Sequence, residues 1–125
     1  MKIEHIALNV KEPQAMAQWY VENMGMKIVR ADSNAPYITF LADEADGCMI
    51  ELYANAEAEY LEYGRLHRAT IHIAFTVTDI QQQQAQLLAA GATPEGEIRT
   101  TPKGDQLAFV RDPWGNTIQL VKRVG

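Results

Sequence analysis

Cysteine is nearly missing from this chain of 125 residues. Cys48 stands alone, so no internal disulfide forms and a reducing compartment is expected. Cationic charge is scarce as well. Lysine and arginine number 11 against 16 acids, the net charge is −5, and no basic run occurs. An electrostatic grip on DNA or RNA is therefore not expected. No run of about 18 apolar residues is present, so no membrane-spanning helix is expected. The opening MKIEHIALNV has neither a long apolar core nor a small-residue cleavage site, and reads as no secretory leader. These absences describe a cytoplasmic protein and do not name a reaction. The length and a hydrophobic content of 47% give one domain over 1–125. A chain of this size buries roughly two thirds of its unfolded surface, enough for a core.

What is present is a repeat. His5 to Glu12 reads HIALNVKE, and His72 to Asp79 reads HIAFTVTD. Ile50-Glu51-Leu52 ends the first half and Ile118-Gln119-Leu120 the second, at nearly the same interval. A period kept over half a chain fixes the architecture. Residues 2–10 alternate as a strand does, with Ile6, Leu8 and Val10 on one face and His5, Ala7 and Asn9 on the other. Pro13 suits the first turn of a helix that carries Met16, Trp19, Tyr20 and Met24, and Gly25 ends it. Strands are expected near 26–32, 37–42 and 48–53. Residues 54–69 connect the halves. The second half repeats the order: a strand over 70–78, then a helix with Asp79 as N-cap, Gln82 as its capping-box partner and Gly91 at its end. Strands follow near 96–101, 106–111 and 116–122. The run Gln81–Gln84 reads as a solvated helix face. The fold class is α+β, with two tandem βαβββ modules at about 1–54 and 70–125.

Glu51, His72 and Gln119 each sit between apolar neighbours, His5 stands beside Ile6, and all four face away from the helix-packed side of a strand. Two imidazoles, a carboxylate and an amide make a first shell for a divalent ion. Imidazole suits Zn, Ni, Co or Fe, and oxygen ligands suit Mn. The competing reading is a polar lining without a metal.

The pieces HIALNV, MIELY, HIAF and AFVRDPWGNTIQLV resemble the vicinal oxygen chelate superfamily, which includes glyoxalase I, bleomycin resistance proteins and extradiol dioxygenases. Within it the likeness is greatest to lactoylglutathione lyases. The resemblance implies a U-shaped eight-stranded sheet around a cleft, with one divalent metal held by His5, Glu51, His72 and Gln119. It further implies a metal-dependent lyase or isomerase acting on a small substrate that chelates through vicinal oxygens, including a glutathione hemithioacetal. Glu51 would be the catalytic proton shuttle. Gln119 departs from the pattern, because bacterial lactoylglutathione lyases carry a glutamate there and an amide cannot take up a proton. Asn55, Arg68 and Lys103 match glutathione-binding positions, whereas Asn9 stands where an arginine is usual. His67 has no expected role. The resemblance also implies a homodimer, in which His5 and Glu51 of one chain meet His72 and Gln119 of the other in the glyoxalase I manner, and the sequence equally allows a site within one chain. Other members are acyl-CoA epimerases, oxygenases and proteins that sequester small molecules. The aromatic residues Tyr37, Tyr53 and Trp114 would serve a sequestering role.

Overall fold

The computed structural model describes residues 1–125. The chain divides into two compact units, Met1–Leu61 and Glu62–Gly125. Each is a βαβββ module. The first runs β1 (His5–Asn9), α1 (Pro13–Met24), β2 (Lys27–Ala31), β3 (Thr39–Ala42) and β4 (Met49–Tyr53). The second runs β5 (Ile73–Thr76), α2 (Ile80–Ala89), β6 (Thr93–Thr100), β7 (Gln106–Arg111) and β8 (Thr117–Lys122). Each module builds a four-stranded sheet, ordered β1-β4-β3-β2 and β5-β8-β7-β6. In both, the first strand pairs parallel with the last, and the remaining pairs are antiparallel. The parallel pairing follows from the crossover helix, which returns the chain to the same side of the sheet. No helix is long and apolar enough to cross a membrane.

The caps follow from local chemistry. Pro13 opens α1, and Gly25 closes it in the left-handed conformation at φ 67°, which costs a residue without Cβ nothing. The Asp79 carboxylate accepts from the Gln82 backbone N–H at 3.0 Å and starts α2. After α2 the Ala92 N–H donates to the Leu87 carbonyl, with Gly91 at φ 107° between them.

Each helix covers one face of its own sheet. α1 buries Met16, Ala17, Trp19 and Tyr20, and α2 buries Ile80 and Leu87. Beneath them Leu41, Leu52, Val110, Ile118 and Leu120 are buried almost completely. Leu8 and Val10 are buried as their alternation implies, but Ile6 is 57% exposed. The reason lies in the docking of α1, which packs on β2, β3 and β4 and leaves the start of edge strand β1 uncovered. Ile71 is exposed for a similar reason, since it lies before the strand rather than in it. β5 begins at Ile73, not near residue 70. Residues 67–70 form a turn instead, closed by the Thr70 N–H on the His67 carbonyl at 2.8 Å. β6 starts earlier than its pattern implies, at Thr93, and its pairing with β7 shifts register between Glu95 and Arg99. Gly96, at φ 76°, lies inside that irregularity.

Candidate metal centre

Strand register places the polar residues. In the first unit Arg30 of β2, Phe40 of β3, Glu51 of β4 and Ala7 of β1 form one row across the sheet. Paired residues share a face, and His5, two positions before Ala7, shares it too. In the second unit the same row reads Glu95 of β6, Phe109 of β7, Gln119 of β8 and Ala74 of β5. His72 stands two positions before Ala74. His5 and His72, and Glu51 and Gln119, therefore occupy equivalent places on the faces opposite the helices.

In the first unit the His5 Nε2 lies 3.4 Å from Glu51 Oε1. Two donors that share an ion roughly 2 Å from each stand about this far apart. Glu51 retains only 14% of its side-chain exposure and His5 37%. The Glu4 carboxylate bonds the other ring nitrogen of His5, Nδ1. A carboxylate there accepts the Nδ1–H and leaves Nε2 as the nitrogen that faces Glu51, an arrangement common behind metal-bound histidines. His72 reaches the same tautomer differently. Its Nδ1–H donates to the Arg68 carbonyl at 2.8 Å, and because a carbonyl only accepts, Nε2 carries the lone pair. Both imidazoles are thus prepared to ligate through Nε2. No three His, Cys, Asp or Glu side chains gather at one place in the chain. The donor set is divided, one pair to each unit.

Each imidazole also meets the edge of a phenylalanine. His5 and Phe40 are T-shaped with centroids 5.3 Å apart, and His72 and Phe109 are T-shaped at 5.4 Å. A guanidinium lies over each ring: Arg30 over Phe40 at 5.9 Å and Arg68 over Phe109 at 4.9 Å. These aromatic supports, Arg30 and Glu4 escape a reading of local pattern. Phe40 and Phe109 repeat as the ligands do, and that repetition was the one signal available.

Arg68 is thereby brought to the same phenyl ring as His72. Gly96 makes room for it, since a Cβ there would stand 3.2 Å from Arg68 Nη1. Asn55 is built into a turn. Its Oδ1 accepts from the Glu57 N–H, and its backbone is gripped by Asn9, which accepts from the Asn55 N–H and donates to the Asn55, Ala58 and Glu59 carbonyls. Asn9, the last residue of β1 and on its histidine face, is a loop clamp. Lys103 lies exposed in the turn between β6 and β7, near Asp105. His67 caps its own turn by accepting the Ala69 N–H. In the second unit Arg111 plays the part of clamp. It pairs with Glu95 and donates to the Tyr63, Leu66 and Gly115 carbonyls. That bond holds the Glu95 carboxyl below the usual carboxylate range.

Comparison with known proteins identifies the family. The model of the Glyoxalase/Bleomycin resistance protein/Dioxygenase superfamily matches residues 2–120. A probable lactoylglutathione lyase of Vibrio parahaemolyticus is 34% identical over 97% of this chain and 90% of its own length. A glyoxalase family protein of Bacillus cereus superposes with a TM-score of 0.77 at 18% identity, over all of this chain and 94% of that one. The antibiotic binding protein TnmS3 of a Streptomyces has the same fold, with a TM-score of 0.73 at 17% identity over 99% of this chain and 97% of its own. With a βαβββ unit made twice and a histidine at the same place in each, the chain belongs to the Glyoxalase/Bleomycin resistance protein/Dioxygenase superfamily.

Proposed function

We propose that the protein is a metal-dependent lyase or isomerase of the lactoylglutathione lyase type, acting on a small substrate with vicinal oxygens such as a glutathione hemithioacetal. The observation that carries this reading is the 3.4 Å approach of His5 Nε2 to Glu51 Oε1, with an oxygen acceptor at Nδ1 of both His5 and His72. Histidines His5 and His72 with the oxygens of Glu51 and Gln119 fit one divalent ion of the Ni, Co, Zn, Mn or Fe class. When bound, the ion supplies Lewis acidity to the substrate's vicinal oxygens. The chain supplies the rest. Glu51 removes a proton from the carbon beside the carbonyl and returns it to the neighbouring carbon. The Gln119 amide holds position and takes no proton. Arg68, spread on Phe109, and Asn55 receive the glutathione part, with Lys103 at the rim. Cys48 is unpaired and suits a reducing cytoplasm.

The active form in this proposal is a homodimer, in which the pair from one protomer's first unit and the pair from its partner's second unit complete one site. His5→Ala and His72→Ala are each inactive, because each breaks every site. Co-refolded in equal amounts, they recover about a quarter of wild-type activity, since half of the dimers are mixed and each mixed dimer has one intact site. Complete inactivity of the mixture places all four donors in one chain. Glu51→Gln abolishes turnover in metal-loaded dimer, and full activity in that variant overturns the base assignment.

Gln119 favours a second reading. With one carboxylate fewer than bacterial lactoylglutathione lyases, and with Tyr37, Tyr53 and Trp114 as its aromatic supply, the chain suits a protein that sequesters a small molecule. Absence of metal under loading with each of the five ions, measured by elemental mass spectrometry, selects it.

A further inference from the structure

The first unit's ligand row carries a group that the proposed reaction has not used. Arg30 stands in register with Phe40 and Glu51, on the face that carries His5. Its guanidinium lies over the Phe40 ring, and the Glu51 charge acts on it. The equivalent place in the second unit holds Glu95, which Arg111 occupies. Yet a guanidinium lies over Phe109 there as well, reaching it from Arg68, outside the row. A duplicated module would repeat an arginine at equivalent positions. Here the two arginines come from different positions and arrive at the same stack of guanidinium, phenyl ring and imidazole. In a chain of net charge −5, a cation beside each histidine marks both places for an anionic ligand.

Asp32 shows how Arg30 takes a carboxylate. The Arg30 Nε donates to Asp32 Oδ1 at 3.1 Å and Nη2 to Asp32 Oδ2 at 2.9 Å, the two-pronged geometry that suits guanidinium and carboxylate. This pair is exposed, with Arg30 keeping 56% of its side-chain accessibility, so it contributes little to stability. An exposed partner two residues away is easily exchanged.

We propose that Arg30 is a specificity-determining residue that binds a carboxylate of the substrate, with Asp32 holding its guanidinium ready and yielding the two-pronged position when substrate enters. The inference rests on the proposed reading of the site and adds that the substrate bears a carboxylate on the side of the His5–Glu51 pair.

The test follows the Arg30 Nε–Hε resonance of the labelled full-length protein by NMR, assigned by its loss in Arg30→Lys. S-hexylglutathione is titrated first, then succinate as a dicarboxylate without a glutathione frame. The resonance moves with both ligands. Arg30→Gln binds S-hexylglutathione about tenfold more weakly, the size expected for one charged, two-pronged hydrogen bond. Asp32→Asn, with its competitor removed, binds about threefold more tightly. If other signals report S-hexylglutathione binding while Arg30 stays unmoved, the glutathione reading stands and Arg30's role is overturned. If succinate moves Arg30 and S-hexylglutathione binds nowhere, the carboxylate role stands and the glutathione reading falls. If neither ligand moves Arg30 in wild type or Asp32→Asn, the role of Arg30 is overturned outright.

Discussion

Gly115 shows how much one residue decides. It sits at φ 86°, and a Cβ there would stand 2.6 Å from the Gly64 Cα and 2.7 Å from the Gly64 N. Backbone cannot yield as a flexible side chain does. Gly115→Ala therefore costs about 3 kcal/mol, from left-handed strain together with the displaced contact. A urea midpoint within experimental error of wild type refutes the close approach. The turn around it is held by the buried Asp112, whose Oδ1 accepts from the Trp114 and Asn116 N–H groups. That turn was legible, because Asp-Pro-Trp-Gly-Asn is turn chemistry in any context. So were His5, Glu51, His72 and Gln119 as one set of faces, because side chains alternate with a period of two. Arg30, Phe40 and Phe109 were not legible. Their roles arise from cross-strand register, which local sequence does not encode. Asn9 stands in the same class, since its three acceptors lie in residues 55–59, about 50 positions away.

The elements differ in how much of their stability is local. Asp79 gives α2 a side-chain cap, whereas Glu12 gives α1 none and Pro13 sets its first turn instead. Asp79→Ala costs about 1 kcal/mol in chemical denaturation, and Asp79→Asn much less. Equal losses for the two would mean that the charge rather than the hydrogen bond is at work. Helix bounds were readable from these caps and from spacing. Strand bounds were less so. β5 opens late because residues 67–70 close a turn on their own hydrogen bonds, and those compete with the edge of a sheet for the same N–H groups. β6 extends to Thr93 because Gly96 absorbs a register shift that would otherwise end the pairing.

The whole molecule responds to acid through its paired carboxylates. Asp32 is held low by the hydrogen bonds of Arg30, Glu95 by that of Arg111, and Asp105 by the Val124 N–H and then Arg123. A carboxyl with a depressed folded value contributes stability that is complete above the usual carboxylate range and is lost as pH falls through the folded value. The melting temperature therefore holds near neutrality and falls below about pH 4.5. Glu95→Gln lowers the melting temperature at pH 7 and flattens its fall toward pH 3 in calorimetry. An unchanged slope removes Glu95 from the account. Two of the three groups lie in the second unit, so acid weakens that module more. The two modules share a plan and differ in what fills it, and the difference has a consequence for the product. One row reads cation, ring, acid, and its counterpart reads acid, ring, amide. In the proposed reaction, a lone base at Glu51 would lift and return the hydrogen from the same side of the substrate. Such a transfer is suprafacial: the new stereocentre has a single hand, and part of an isotopic label migrates with the hydrogen instead of washing into solvent.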